Sequence, residues 1–207
     1  MIILSDNDII YKLAACDMLD EALVALGVMY TDVYVLPTAK YKFGITKNPA
    51  RAEARYGPEV VARIRNFLAN VRELDVVGPS EELQLLAEID GIDVGEAVLF
   101  SATVRFDNYL LATGDKNSLR AMASSPTCQP IARRLSGHVI CLEQLVTRVI
   151  AHFGFAYVKD KVVPARSCDT ALRAAFGSGD AATESNVLTA LDGYINELRS
   201  LNVDVLI

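Results

Sequence analysis

Two carboxylates follow a short apolar stretch near the start of the sequence. In MIILSDNDII, Asp6 and Asp8 come directly after the apolar residues 2–4, and the chain turns apolar again at Ile9 and Ile10. This pattern predicts a short buried strand followed by a helix. A carboxylate directly after a buried strand is costly unless a partner lies beside it. Asp6 is therefore a candidate functional residue.

Two further motifs place acids where they can join this pair. Asp93 and Glu96 in DVGEAVLFSA lie three residues apart, on one face of a predicted helix. Asp115 follows the apolar stretch YLLAT. In a parallel sheet, ligands bind at the carboxyl ends of the strands, so these segments can deliver carboxylates to one place.

Converging carboxylates repel one another unless a proton or a cation lies among them. An all-oxygen set of ligands selects Mg²⁺ or Mn²⁺. Such an ion activates water and offsets developing charge, which suits phosphoryl chemistry.

All of these acids except Asp6 also have a structural alternative. Asp93 and Glu96 form an acceptable capping box, with Asp93 as N-cap and Glu96 at the third helical position. Asp115 can cap the helix that follows it, and Asn7 or Asp8 can cap the first helix. Taken singly, capping explains each motif as well as catalysis does.

The elements that must position these acids alternate between strand and helix. The apolar stretches at 2–4 and in DVYVLP, ELDVVGP, YLLAT and HVICL predict strands, and helical patterns lie between them. This order predicts an α/β fold of three layers, with a mainly parallel central sheet covered on both faces. Beyond Gly154 the pattern changes. VKDKVVPA reads as irregular or strand-like, and helices follow at about 167–176 and 183–201. We therefore expect a domain at 1–150 and a helical C-terminal extension at 151–207.

Basic residues are concentrated in one part of an otherwise acidic chain. Residues 40–72 contain eight basic and two acidic residues, a net charge of +6, which leaves −12 for the rest of a chain whose total is −6. A basic zone beside an acidic site fits an anionic polymer. The alternative is a solvated helix face. The residues that we expect to contact nucleic acid are Lys40, Lys42, Lys47, Arg51 and Arg55.

Composition argues against several classes of protein. No apolar stretch in the 207 residues is long enough to cross a bilayer, and no signal-like segment is visible, so we expect a cytoplasmic protein without a membrane partner. The four cysteines form no CxxC pair, and the two histidines are isolated. A zinc site, a disulfide framework and a histidine-based triad are therefore poorly supported, and we expect the cysteines to be small buried thiols.

Three of these motifs together resemble the PIN-domain nucleases, a family of metal-dependent ribonucleases that includes many toxins of toxin–antitoxin modules. IILSDNDII, DVGEAVLFSA and YLLATGDKNSL occur in the family's order, within about residues 1–150. The resemblance implies a PIN-like fold, an RNA substrate, Mg²⁺ or Mn²⁺ as cofactor, and an antitoxin as a possible partner. It assigns Asp6, Glu96 and Asp115 as catalytic metal ligands.

The chain departs from the family pattern at two points. The helix after the second strand carries no acid in LPTAKYKF, and Asn117 and Ser118 lie where a further acid follows the D-K turn in many members. We expect Asp93 and Asp8 to supply part of this charge to the metal.

Two other functions remain open. IILSDNDII also resembles the first motif of the haloacid-dehalogenase-like phosphatases, in which Asp6 would be the nucleophile and Asp8 the acid/base. A third hypothesis is a scaffold that binds nucleic acid or a partner protein without catalysis.

The last predicted helix has a wide apolar stripe that must be buried. It packs either on this chain or on a second subunit, and we expect a homodimer because isologous contacts are the commonest. The apolar tail VDVLI is also unsuited to a free terminus. The stripe comprises Val187, Leu188, Leu191, Tyr194, Ile195 and Leu198.

Overall fold

The computed structural model describes residues 1–75, 80–200 and 205–207. Within these ranges, five parallel strands form one sheet in the order β3-β2-β1-β4-β5. Ile3 on the central strand pairs with Val33 on one side and with Leu110 on the other. The predicted α/β class with a parallel sheet is confirmed. The strands are β1 (Ile2–Ser5), β2 (Val33–Val35), β3 (Arg72–Glu73), β4 (Tyr109–Ala112) and β5 (Val139–Ile140).

Helices connect the strands and form the C-terminal part. Between the strands they are α1 (Asn7–Ala15), α2 (Leu19–Leu26), α3 (Ala39–Lys42), α4 (Pro49–Tyr56), α5 (Pro58–Asn70), α6 (Glu81–Ala87), α7 (Val94–Ala102), α8 (Lys116–Ser124) and α9 (Gln129–Leu135). After β5 come α10 (Leu142–Phe153), α11 (Phe155–Ala165), α12 (Thr170–Ala175) and α13 (Glu184–Arg199).

The sheet separates two apolar cores because successive strand residues point to opposite faces. Ile3 and Leu110 belong to one core, with side chains from α1, α2, α5 and α10. Leu4 and Leu111 belong to the other, with side chains from α7, α8 and α9. Helices thus cover both faces, as the uninterrupted apolar strands predict.

Two sequence predictions about local structure require correction. VKDKVVPA is helical, because Val158 and Val162 are four residues apart and both are fully buried on one side of α11. The N-cap of α1 is Asp6, since β1 ends at Ser5 and the helix begins one residue earlier than expected. ELDVVGP, expected to be a short strand or edge piece, begins with Glu73 of the edge strand β3; Leu74 and Asp75 follow that strand, and residues 76–79 lie outside the described ranges.

The apolar stripe of α13 is buried against this same chain. Val187 and Leu191 join the first core, and Ile195 and Leu198 join the second. Beyond α13, the backbone N–H of Val139 donates to the carbonyl of Val205 at 2.8 Å, so residues 205–207 extend the edge of β5. The stripe therefore gives no support to a homodimer, which stays a prediction, as does a domain boundary at 150.

Among the described residues, no helix has both the length and the apolar character needed to cross a membrane.

Candidate functional site

Asp6 lies at the end of β1 and holds the neighbouring strand and helix together. Its Oδ1 accepts the backbone N–H of Ile9 at 2.7 Å, which caps α1. Its Oδ2 accepts the Thr113 hydroxyl at 2.8 Å and the backbone N–H of Gly114 at 3.1 Å. Asp6 is only 7% exposed. Burial raises its pKa to about 6 against the opposing effect of these hydrogen bonds, and the nearby carboxylate of Asp8 raises it further.

Asp93 and Glu96 form the predicted capping box at the start of α7. The Glu96 N–H donates to Asp93 Oδ1 at 2.8 Å, and the Asp93 N–H donates to Glu96 Oε2 at 2.8 Å. Asp93 is exposed, whereas Glu96 is only 8% exposed. Burial is the main cause that raises the Glu96 pKa to about 8, and the carboxylates of Asp115 and Asp93 add to the shift. Glu96 therefore holds its proton near neutral pH.

Asp115 caps α8, as its position after the fourth strand predicts. Its Oδ1 accepts the N–H of Asn117 at 2.7 Å and that of Ser118 at 3.2 Å. Its carboxyl group is also in hydrogen-bonding contact with that of Glu96. Glu96 keeps its proton beside Asp115, because two negative charges at this distance repel. Asp93 and Asp115 therefore do cap their helices. At these capped helix ends, two separate segments of the chain meet.

A single cleft of about 1170 Å³ connects these groups at the carboxyl end of the sheet. All five acids of the predicted metal site line it. Eight acidic and five basic side chains line it in total, so it presents closely mixed charge rather than a uniform field. They are Asp6, Asp8, Asp93, Glu96, Asp115, Glu143, Asp169 and Glu197, with Lys12, Lys42, Arg55, Lys116 and Arg120.

Lys12 forms an ion-paired bridge across the cleft. Its ammonium lies 2.5 Å from Asp8 Oδ2 and 2.7 Å from Asp169 Oδ2. Burial opposes its charge, but the hydrogen bonds to Asp169 and Asp8 outweigh that effect and raise the Lys12 pKa. Asp169 is the N-cap of α12, so a residue of the C-terminal helices contributes directly to this cleft.

Lys116, directly after Asp115, forms a second pair of this kind. Its ammonium is 2.9 Å from Oε1 of Glu143, a side chain that is only 3% exposed in the first turn of α10. It also lies 4.6 Å from the ring centroid of Tyr194 on α13, within the range of a cation–π interaction. Both lysines are therefore held by side chains that follow β5 in the sequence.

Sequence reasoning missed Lys12, Lys116, Glu143 and Asp169. A signal existed for Glu143, because it follows the buried strand HVICL as Asp6 follows the first strand. No local signal marks Asp169, whose position depends on how the C-terminal helices pack.

Gly114 lies where α1 closely approaches the loop after β4. A Cβ atom at this position would lie 2.3 Å from Asp8 Oδ2 and 3.3 Å from Lys12 Nζ. Any side chain here would therefore displace the Asp8–Lys12 pair.

The basic zone reaches the cleft only in part. Lys42 and Arg55 line it. Lys40 instead pairs with Glu73 at 3.0 Å, and the Lys47 ammonium lies 5.7 Å from the Tyr41 ring. Arg51 is exposed on α4. Of the five residues expected to bind nucleic acid, the structure therefore brings two to the acidic residues.

The acids are close, but they do not form a finished metal site. Within 1–75, 80–200 and 205–207, no three acidic, cysteine or histidine side chains lie close enough to hold a metal ion as they stand. The oxygens of Asp6 already accept three hydrogen bonds, while Asp8 is paired with Lys12. Glu96 and Asp115 are the pair in which a cation could replace the proton of Glu96.

Three comparisons bear on the identity of the chain. No protein-family model matches it. No curated protein and no solved structure matches it either. The geometry of the cleft is therefore the basis on which its function must be inferred.

Proposed function

We propose that this protein is a Mg²⁺- or Mn²⁺-dependent ribonuclease with a PIN-like fold. The observation that carries the proposal is the meeting of Asp6, Glu96 and Asp115, from three separate segments, in one cleft. Capping alone requires no such convergence, since each cap would serve its helix equally well elsewhere.

The residues fit a hard divalent cation. Glu96 and Asp115 would hold it through oxygen, with Asp93 and Asp8 near enough to take part after side-chain rotation. The ion would replace the proton of Glu96 and relieve the repulsion between the Glu96 and Asp115 carboxylates. When bound, the ion supplies an activated water and stabilises charge on the phosphate. The main role of Asp6 is to position the site, because its three hydrogen bonds fix the ends of β1 and β4 relative to each other.

The basic side chains that line the cleft favour an anionic substrate. Lys42 and Arg55 line the cleft, and both are exposed. They are available to phosphate groups of an RNA backbone, which Lys and Arg attract through release of counterions. Tyr56 lines the same wall, with the Arg55 guanidinium 4.9 Å from its ring centroid. Aromatic and basic groups together favour single-stranded nucleic acid, whose bases can stack.

A metal-dependent cleavage assay tests this proposal. The full chain is incubated with single-stranded and hairpin RNA in Mn²⁺, Mg²⁺ or EDTA, and Mn²⁺ affinity is measured by calorimetry. We expect cleavage only with metal, and we expect Glu96→Gln and Asp115→Asn to lose both cleavage and Mn²⁺ binding. Asp107→Asn is the matched control, because Asp107 is exposed at the opposite end of β4. Unchanged Mn²⁺ affinity in both cleft variants would exclude the site.

A scaffold that binds nucleic acid without catalysis is the second candidate. The Lys12 ammonium already bridges Asp8 and Asp169 and offsets one of their two negative charges, as a resident cation would in part. If the protein is such a scaffold, the assay should show RNA binding that requires Lys42 and Arg55 but no metal. No cleavage should be observed. The phosphatase hypothesis is less favoured, because a nucleophilic Asp6 would have to give up hydrogen bonds that its buried carboxylate needs. An antitoxin partner and a homodimer remain predictions of the resemblance.

A further inference from the structure

Two cysteines that are distant in the sequence meet behind the cleft. Sγ of Cys16, at the C-terminal end of α1, lies 4.0 Å from Sγ of Cys168, and 152 residues separate them. Both are free thiols. Cys16 is fully buried, whereas Cys168 is partly exposed at the end of the short turn Arg166–Cys168.

The two thiols differ in reactivity. Cys168 is the more accessible, and its thiol is hydrogen-bonded to that of Cys16. This hydrogen bond lowers the pKa of Cys168, and the Lys12 ammonium acts in the same direction. The same contact raises the pKa of Cys16, as does burial. Cys168 is thus the thiol that reacts first, because the thiolate is the nucleophile.

We propose that Cys16 and Cys168 form a redox-active dithiol, a modification site that a hydroperoxide converts into a disulfide. The Cys168 thiolate attacks the peroxide, the O–O bond breaks, and a sulfenic acid and an alcohol (or water) form. The Cys16 sulfur then attacks Cys168, the S–S bond forms, the S–O bond breaks and water leaves. Two thiols are oxidised by two electrons, and the hydroperoxide is reduced by the same two.

The geometry permits this reaction with a small movement. The sulfur atoms must approach from 4.0 Å to about 2 Å, the length of a disulfide bond. Cys168 lies in a single turn just before Asp169, so the backbone there can follow the sulfur more easily than α1 can.

The same movement reaches the cleft. Asp169 follows Cys168 directly, caps α12 through the N–H groups of Ala171 and Leu172, and pairs with Lys12. Drawing Cys168 toward α1 shifts Asp169 relative to Lys12, and hence the Lys12–Asp8 pair. The dithiol itself does not depend on ribonuclease activity, whereas any effect of oxidation on cleavage rests on the proposed function.

The chemistry is tested on the full chain with hydrogen peroxide and no RNA. We expect the count of free thiols, measured after unfolding, to fall from four to two and to recover with dithiothreitol. Mass spectrometry of digested protein should show a peptide cross-link between Cys16 and Cys168. Four remaining thiols, or a cross-link between other cysteines or between two chains, would overturn the proposal.

Two variants separate the steps, and the circular dichroism of each is compared with wild type to establish folding. In Cys16→Ala, Cys168 should stop at the sulfenic acid and be labelled by dimedone. In Cys128→Ala, a control at a buried cysteine outside the pair, the cross-link should form as in wild type. Absence of dimedone labelling in a folded Cys16→Ala protein would exclude Cys168 as the attacking thiol.

Hydrogen exchange tests the connection to the cleft. We expect oxidation to change exchange rates in α1 and α12 while leaving α7 and α8 unchanged. Exchange that is identical in the reduced and oxidised proteins would show that the disulfide does not act on the Asp169–Lys12 contact. If oxidation proceeds but no RNA is cleaved in either state, the ribonuclease proposal fails and the dithiol stands.

Discussion

The substitution Glu96→Gln should stabilise the metal-free protein, although it alters a buried residue at the centre of the proposed site. Glu96 accepts the Asp93 N–H and is in hydrogen-bonding contact with Asp115. Glutamine reproduces the protonated acid, since its amide oxygen can accept from Asp93 and its amide nitrogen can donate to Asp115. It differs from glutamate only in that it cannot become charged.

The stability of the wild type relative to Glu96→Gln should fall as the pH rises. Below the ordinary glutamate pKa of 4.5, Glu96 is protonated in both the folded and the unfolded chain. As the pH rises from 4.5 to about 8, the unfolded chain loses the proton while the folded chain keeps it, so the wild type loses stability. Above about 8 the loss is complete.

The size of the loss follows from the shift in pKa. At about 1.4 kcal/mol per unit, the full shift corresponds to at most about 5 kcal/mol. Asp93 is exposed and Asp115 is partly exposed, so solvent screens part of the repulsion. We therefore expect Glu96→Gln to be about 2 kcal/mol more stable than wild type at pH 9 and nearly equal to it at pH 5.

Urea denaturation at pH 5, 7 and 9 in EDTA measures this difference. The Asp6 pKa of about 6 also lowers stability as the pH rises, but it does so in both proteins and cancels. Glu88→Gln, an exposed residue at the end of α6, is the matched control and should show no such trend. A Glu96→Gln protein whose advantage is the same at pH 5 and pH 9 would refute the inferred protonation.

Three further predictions concern other parts of the molecule. Replacing both Lys42 and Arg55 with Glu should weaken RNA binding and reduce the slope of log affinity against log salt by about 2. Filter binding at several salt concentrations measures this slope. An unchanged slope would contradict a phosphate contact. Leu191→Ala on α13 removes a fully buried side chain and should cost about 3 kcal/mol in urea denaturation, while a cost below about 1 kcal/mol would show that the helix is not part of the core. Gly114→Ala should cost less than about 1 kcal/mol, because the flexible Asp8 side chain can move away, but calorimetry should show altered Mn²⁺ affinity.

The fold class was predictable because the strands are buried on both faces. Strands such as YLLA carry apolar side chains without alternation, which is typical of a parallel sheet covered by helices. The strand order then places the ends of β1 and β4 side by side, so Asp6 and Asp115 follow adjacent strands. The general rule about the carboxyl ends of parallel strands thus predicted where these two acids lie.

Interpretation of VKDKVVPA failed because local propensity was a poor guide there. Its valines and proline favour extended structure, yet Val158 and Val162 are fully buried in the core at helical spacing. Tertiary packing outweighs the cost of β-branched residues in a helix. Pro164 lacks the N–H that would continue the helical hydrogen bonds, and α11 ends one residue later, at Ala165.

The charge balance of the cleft explains why sequence analysis predicted only part of the site. Each lysine in its interior is paired with an acid that follows β5, Lys12 with Asp169 and Lys116 with Glu143. Removing Glu143 would take the carboxylate from the partly buried Lys116 ammonium, which costs more than the pair itself contributes. Removing Asp169 would leave Lys12 paired with Asp8 alone. Later segments therefore help to hold the two lysines that line the cleft together with the carboxylates of the first 115 residues. Side chains from α12 and α13 thus form part of the cleft, and a ligand that enters must compete with the ion pairs of Asp169 and Glu197.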